Sequence, residues 1–548
     1  MTDVERTTAA DASPVRQHAE RIASRIFGII ADHFPVAAAS DEFGYFPQVV
    51  NPRTRWDSWD RFCPDGVQDA AARLRAEASA LKRLWSDEAD SGSVDAETRV
   101  DACQVLDTVE TLVEQLTIVR AWEIQPTWHL TIACVGLTEA LESGDPEAPR
   151  RRAAGLAEFI YQACATLRNV PALFRDLGLE MAAGTRSFLK GLLPKLPELK
   201  SAMQAIDRLE TTLAGLAVRS GFRLSRDHFE QVIRVHLQLG LDDRELAALL
   251  DQEVREMREQ IERIAGGPLT AADLEKAIRR LPPPPVPDGG LLHLYEGEVV
   301  RLAKHCVDQG LLAEKLAARC PVRVMPVPSH LSAIRSASSY SIPPRHPPTG
   351  GVFYVINAEQ PGELRKNYQR EYRMLIAHET FPGHHMLDIH RWSLARPIRR
   401  VIERPLFYEG WACFAEEMIR MTGYLHTRQD RLLLARRRLW RAIRGQVDLG
   451  LQSGQFGLQS AARRLTATGM NPQDALSAVR KYPLNPGYQS CYTAGIRRFL
   501  DLYDRHGGEG LPAFVATVLG QGEIGFEDME KAFPRGPVDR YPTDTSWR

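Results

Sequence analysis

The run Ala377-His378-Glu379-Thr380-Phe381-Pro382-Gly383-His384-His385 holds residue types that packing does not call for and metal chemistry does. Its first half, His378-Glu379-x-x, opens like the pattern in which two histidines at i and i+4 share a helical face, hold zinc, and flank a glutamate that acts as general base. The i+4 position is Pro382, however, and proline inside a helix removes a backbone donor and collides with the preceding turn. A continuous helix is not expected here. Zinc–nitrogen bonds of about 2.0–2.1 Å bring two ligating nitrogens within roughly 4 Å of each other. On an unbroken helix, position i+6 points about 120° away from i, and i+7 shares its direction but lies ~10.5 Å further along the axis. If Pro382-Gly383 loop out, His384 drops into the place i+4 would have held, and His385 becomes a neighbour behind the ligands or facing substrate. His384 is the preferred second ligand, and His385 the alternative.

A catalytic zinc takes a third protein ligand and keeps one position for water. Downstream, Phe407-Tyr408-Glu409-Gly410-Trp411-Ala412-Cys413-Phe414-Ala415-Glu416 places Glu409 at the head of an apolar, aromatic-rich helical run, which makes it the candidate third ligand. Glu416, seven residues on, falls on roughly the same face two turns later and is a candidate to orient a ligating histidine.

Together with Pro486-Gly487-Tyr488-Gln489-Ser490-Cys491-Tyr492-Thr493-Ala494-Gly495, these blocks resemble the family catalogued as domain of unknown function 885. The approach to the histidines, Ala337 to Pro344 and Gly351 to Asn357, is similar to the family's as well, so the resemblance covers nearly the whole chain. Two positions depart from it: Gln452 stands where the family often has histidine, and Ala478 where it often has glutamate. Family members are regarded as helical zinc metallopeptidases, distantly similar to the thimet oligopeptidase and carboxypeptidase Taq groups. The resemblance implies a mainly α, large multi-helix zinc-peptidase-like fold with a deep cleft and a small β ribbon. It also implies that Tyr492 donates to the developing oxyanion, with Tyr488 as its rival, and that Tyr340 and Tyr488 face substrate.

Outside the motif, 69 Lys and Arg against 70 Asp and Glu leave no global field for nucleic acid or an anionic membrane. Eight cysteines are scattered without a CxxC pair and read as reduced, mostly buried thiols. Met1-Thr2-Asp3-Val4-Glu5-Arg6 has no apolar leader, and no apolar run approaches the ~18 residues of a membrane span, so a soluble cytoplasmic protein is expected.

Residues 1–14 are small and polar and are expected to be disordered. Helical periodicity starts with Ile22, Ile26, Ile29 and Ile30 and recurs over Val94 to Ile124, Trp128 to Leu141, Pro149 to Leu167 and Pro171 to Leu192. Trp122, Trp128 and Tyr161 read as packing residues, and His18, His129, His228 and His305 as packed or solvent-facing. Asp242 with Glu245 three residues on signals a helix start. The proline-rich Leu281 to Gly290 is the clearest boundary, dividing a helical region 15–281 from a catalytic region 291–548. After a helix from Leu291 to Arg319, Val322 to Val327 and Val352 to Ile356 read as strands, and a further helix runs from about Leu364 into the motif. The strands suit either a structural ribbon or an edge that holds an extended peptide. Arg436-Arg437-Arg438 reads as a solvated or acid-paired face.

The expected function is zinc-dependent hydrolysis of a peptide or small amide, with Glu379 moving the proton. Two histidines and a carboxylate also suit a non-haem iron enzyme, but Glu379 would then be idle. A di-iron site would want Glu-x-x-His pairs that the chain lacks around the motif, and a non-catalytic binding scaffold is the third class.

Overall fold

The structure is a computed structural model, and it describes residues 13–49, 58–89, 95–327, 338–356 and 370–533. Among the described residues it is mainly α with one small sheet. Contacts divide the chain into two compact units. The first is Met1–Phe222 with Val327–Ser336 and Ala395–Glu403, and the second is Arg223–Pro326 with Ala337–Leu394 and Arg404–Arg548. The stretch 281–290 therefore lies inside the second unit, where it joins the helix Ala271–Arg280 to the one that begins at Gly290.

In the first unit, α1 (Pro14–His33) starts where Ser13 accepts from the amide of Arg16 and buries Ile22, Ile26, Ile29 and Ile30 against α2 (Pro64–Ala89). Most of the N-terminal stretch expected to be disordered, residues 1–12, lies outside the described residues. The helix expected over Val94 to Ile124 is interrupted. Its first part, α3 (Ala96–Glu114), widens into a π-turn at Gln115–Val119 and stops at the left-handed Arg120, φ 53°. Then α4 (Pro126–Glu142), α5 (Ala148–Thr166), α6 (Ala172–Leu192) and α7 (Leu199–Gly215) pack on one another. Trp122 is buried and Trp128 packs edge-on to Phe43 and Phe62, but Tyr161 is 42 % exposed because its position falls on the outer face of α5. His129 is buried with Nε2 on the carbonyl of Trp122, Nε2 of His305 meets Thr422, and among the described residues neither belongs to a group that could hold a metal ion.

In the second unit, α8 (Asp243–Ala265) opens with the capping box of Asp242 and Glu245 and closes on Gly266 in the left-handed conformation. The helix expected from Leu291 to Arg319 divides into α9 (Gly290–Asp308) and a turn of helix at Glu314–Arg319, broken at Gly310, φ +71°. The sheet has three strands, not two: β1 (Val322–Pro326), β2 (Ser339–Ser341) and β3 (Gly351–Val355). β3 is central and buried throughout, parallel to β1 and antiparallel to β2. β2 escapes a reading by alternation because it is Ser-Tyr-Ser, three residues without a β-branched side chain. Residues 357–369, where the helix into the motif was expected to begin, lie outside the described residues. That helix is described as α10 (Tyr372–Glu379), followed by α11 (His384–Arg391), α12 (Pro405–Met421), α13 (Arg428–Ser453) and α14 (Cys491–His506). α13 lies along α8, and α12 along α14. No helix among the described residues is long and apolar enough to cross a membrane.

Candidate metal centre

The motif breaks where proline requires it to. Helix α10 makes its last turn with the amide of Thr380 on the carbonyl of Ile376, 2.8 Å, and the chain then folds back so that the amide of Gly383 reaches the carbonyl of Ala377, 2.9 Å. A Cβ at Gly383 would stand 1.9 Å from the carbonyl oxygen of His378, so only glycine lets the loop lie on the helix end. The indole Nε1 of Trp411 holds the loop by donating to the carbonyl of Pro382, 2.9 Å. His384 thereby becomes the first residue of α11, beside the last turn of α10.

Glu409 is brought in by a close helix crossing. A Cβ at Gly410 would lie 2.6 Å from Cα of Gly495, so α12 and α14 approach backbone to backbone at this point. Nε2 of His378 and Nε2 of His384 stand 3.5 and 3.6 Å from the same oxygen, Oε2 of Glu409. One ligand atom from each of the three lies within 4.8 Å of the others, and all three side chains are buried.

The surrounding hydrogen bonds select these three atoms. The other oxygen of Glu409, Oε1, accepts from the hydroxyl of Tyr488 at 2.8 Å, while Oε2 is buried without a hydrogen-bond partner. Nδ1 of His378 lies 3.2 Å from Oε1 of Glu416 and equally near a guanidinium nitrogen of Arg441. A guanidinium only donates and a carboxylate only accepts, so the proton decides between them: an ion on Nε2 requires the tautomer in which Nδ1 carries the proton and gives it to Glu416. Glu416 is itself clamped by Arg437 at 2.9 and 3.0 Å and by Arg441 at 2.6 and 3.0 Å. His384 is stacked on the ring of Tyr408, centroids 4.0 Å apart, and Tyr408 donates to Asp388.

Two imidazole nitrogens facing one buried carboxylate oxygen at 3.5 and 3.6 Å call for positive charge between them, a proton or a metal ion. Two imidazole nitrogens and one carboxylate oxygen are also the donor set of an open catalytic zinc site. The residues fit a divalent ion.

Without an ion the electrostatics keep a proton on the triad, which a bound cation would displace. Burial pushes the carboxyl of Glu409 up, but His378 and His384 outweigh it and hold Glu409 well below the usual range, hence ionised. Burial pulls His378 down, while its contacts with Cys413, Glu409 and Glu416 outweigh that and raise it. Burial lowers His384 to about 4 and raises Glu379, at the end of α10, to about 7. Burial, with Glu409 nearby, raises the phenol of Tyr492 well above its usual value, so it stays a donor. The ring of Tyr492 stacks on His378, centroids 6.5 Å apart.

His385 is committed elsewhere. Nε2 meets the carbonyl of Cys320 and Nδ1 the hydroxyl of Tyr340, both at 2.8 Å, so neither nitrogen is free for an ion. The hydroxyls of the two tyrosines expected to face substrate have protein partners, Tyr340 meeting His385 and Tyr488 donating to Glu409. The arginine run is acid-paired but not solvated. Arg436 and Arg437 pair with Glu371, and Arg438 with Glu253 and Glu417. Sequence reasoning missed Arg437, Arg441 and Tyr408 as parts of the site. The available signal was the i, i+4 spacing of Arg437 and Arg441 on one face of α13. Gln452, in place of the family's histidine, accepts from the amide of Leu224 at 3.3 Å, and Asp448 one turn before it accepts from the amide of Gln489 at 3.1 Å.

Fold and site together define a mainly α protein with a buried two-histidine, one-glutamate constellation at a broken helix. The chain belongs to the family described as bacterial protein of unknown function (DUF885), which matches residues 44–533. Among solved structures it is similar to a “putative lipoprotein of unknown function” from Shewanella oneidensis, at 14% identity and TM-score 0.68 over 94% of this chain and 99% of that one. It is also similar to a “putative lipoprotein” from Colwellia psychrerythraea, at 14% identity and TM-score 0.74 over 95% of this chain and 99% of that one. These likenesses concern the fold. No curated protein matches.

Proposed function

We propose that this protein is a zinc-dependent hydrolase of peptide or small-molecule amide bonds, with His378, His384 and Glu409 as ligands and Glu379 as general base. The observation that carries the proposal is the convergence of two imidazole nitrogens on a buried glutamate oxygen, with a second buried carboxyl, Glu379, next to one of the histidines. A zinc ion held there would acidify a bound water toward pH ~7 and polarise the substrate carbonyl. Glu379, raised to about 7, is poised to take the proton of the attacking water and pass it to the leaving nitrogen. Tyr492 keeps its proton and can donate to the oxygen on which negative charge develops. Glu416 holds His378 in the tautomer that leaves Nε2 for the metal, and Tyr488 holds Glu409 by the oxygen that does not face it. All eight cysteines are free thiols, which supports a reducing, cytoplasmic setting.

Zinc is favoured over iron because an iron oxygenase leaves Glu379 without a task, whereas amide hydrolysis uses it twice. Metal analysis of the purified protein, followed by hydrolysis of short peptides and N-acyl amides with and without chelator, tests the reading. One equivalent of zinc and chelator-sensitive hydrolysis that Glu379→Gln abolishes are expected. Turnover by Glu379→Gln at the wild-type rate would refute it.

A further inference from the structure

Arg444 stands apart from the four arginines before it in the middle of α13. Arg436, Arg437, Arg438 and Arg441 each pair with a buried carboxylate. Arg444 pairs with none among the described residues. Its Nη2 donates to the side-chain oxygen of Gln489, its Nε is buried without a partner, and the rings of Trp440, Tyr492 and Tyr482 stand around it, 4.4, 4.7 and 5.9 Å from the guanidinium carbon to each centroid. The residue as a whole is only partly buried, although its Nε is buried. The ring of Tyr492 is shared: Arg444 lies against it, and so does His378, which contributes to the metal triad.

A guanidinium is always charged, and its fork of donors matches a carboxylate in two parallel hydrogen bonds. Held among aromatic rings and a neutral amide, Arg444 makes no direct ion pair among the described residues, and the carboxyls of Asp448 and Glu409 act on it only through space. From these contacts we infer that Arg444, steadied by Gln489 and the ring of Tyr492, binds a free carboxylate of the substrate, and that the protein therefore acts on peptides or N-acyl amino acids at the bond near a C-terminal carboxylate. This rests on the hydrolase reading and narrows it to acidic-ended substrates. Arg444 and His378 lie 4.7 and 6.5 Å from the centroid of the same ring, and one residue of extended chain spans roughly 3.3–3.6 Å, so a carboxylate within a few residues of the scissile carbonyl can span the distance. A packing role for Arg444, in which its charge merely stiffens Tyr492 through cation–π contact, predicts no discrimination between charged and neutral chain ends.

The test uses N-acetyl dipeptides, each as the free acid and as the C-terminal amide, binding to zinc-loaded Glu379→Gln protein and followed by calorimetry. The acids should bind about 10–100-fold tighter than the amides, the range of hydrogen bonds to a charged group. Adding Arg444→Gln should bring that ratio near one, and Arg444→Lys, which keeps the charge and loses the fork, should restore part of it. Zinc content and circular dichroism check that each variant is folded, and if Arg444→Gln does not fold, Arg444→Lys alone must lower the ratio. Equal binding of acids and amides, an acid preference that survives Arg444→Gln, or no binding of any member would overturn the inference. An Arg444-dependent acid preference in a protein whose wild type cleaves none of these compounds would uphold it while refuting hydrolysis.

Discussion

Replacing Glu416 with glutamine should weaken the protein in two separable ways. The substitution preserves shape but removes a negative charge that receives four guanidinium contacts of 2.6 to 3.0 Å from Arg437 and Arg441, and faces His378 at 3.2 Å. Arg437 retains Glu371 as a second partner, but Arg441 has no other carboxylate among its described ion pairs. One buried cation is thus left uncompensated. Breaking a buried pair in this manner costs about 3–5 kcal/mol, and the retained amide oxygen offsets part of that by accepting from one guanidinium. Urea unfolding of the metal-free protein reads this loss. The second effect is on the metal: the glutamine amide can donate to Nδ1 as well as accept from it, so the tautomer of His378 is no longer fixed, and zinc affinity should fall about 10–100-fold. Competition with a chromophoric chelator measures it. Lost stability with unchanged zinc affinity would refute the claim that Glu416 orients His378. No change in either would refute the whole account of this cluster.

Further predictions concern the neighbouring residues. Glu379→Gln should retain zinc and lose about 10²–10⁴-fold in turnover, whereas Tyr492→Phe should lose about 10²–10³-fold, both read as kcat on any amide the wild type cleaves. His384→Ala should abolish stoichiometric zinc in metal analysis. His385→Ala should retain zinc but unfold at lower denaturant, since the buried Tyr340 hydroxyl and Cys320 carbonyl lose their partner at a cost of about 1–3 kcal/mol. His129, lowered by burial to about 4 from an ordinary 6.5, binds its proton more readily in the unfolded chain. Its contribution is therefore fully present above pH ~6.5 and is lost as pH falls toward 4, and His129→Asn should flatten the stability profile across that interval.

The broken helix was legible because proline at i+4 forbids the ordinary zinc pattern and metal–ligand distances leave few ways to bring His384 back. The capping box at Asp242 and the strands at Val322 and Gly351 were legible for similarly local reasons. What escaped depends on chain-distant partners. No local pattern shows that Arg437 and Arg441 meet a glutamate on α12, or that the hydroxyl of Tyr488 belongs to Glu409, 79 residues earlier. The arginine run was expected to be acid-paired or solvated. Burial settles on the first, because a charge moved out of water must find its counter-charge.

The contact between Gly410 and Gly495 bears on how the protein acquires its metal. With no side chain between them, α12 and α14 meet as two rods touching at a fulcrum, and Glu409 is the residue immediately before that point. Neither rod can slide inward, and moving outward would open a gap lined by Phe407, Trp411 and Phe499. The carboxylate is therefore held in position by steric contact whether or not an ion is present. Chelation should empty such a site without unfolding it, leaving the far-ultraviolet circular dichroism unchanged, and re-addition of metal should be rapid because nothing has to be rebuilt.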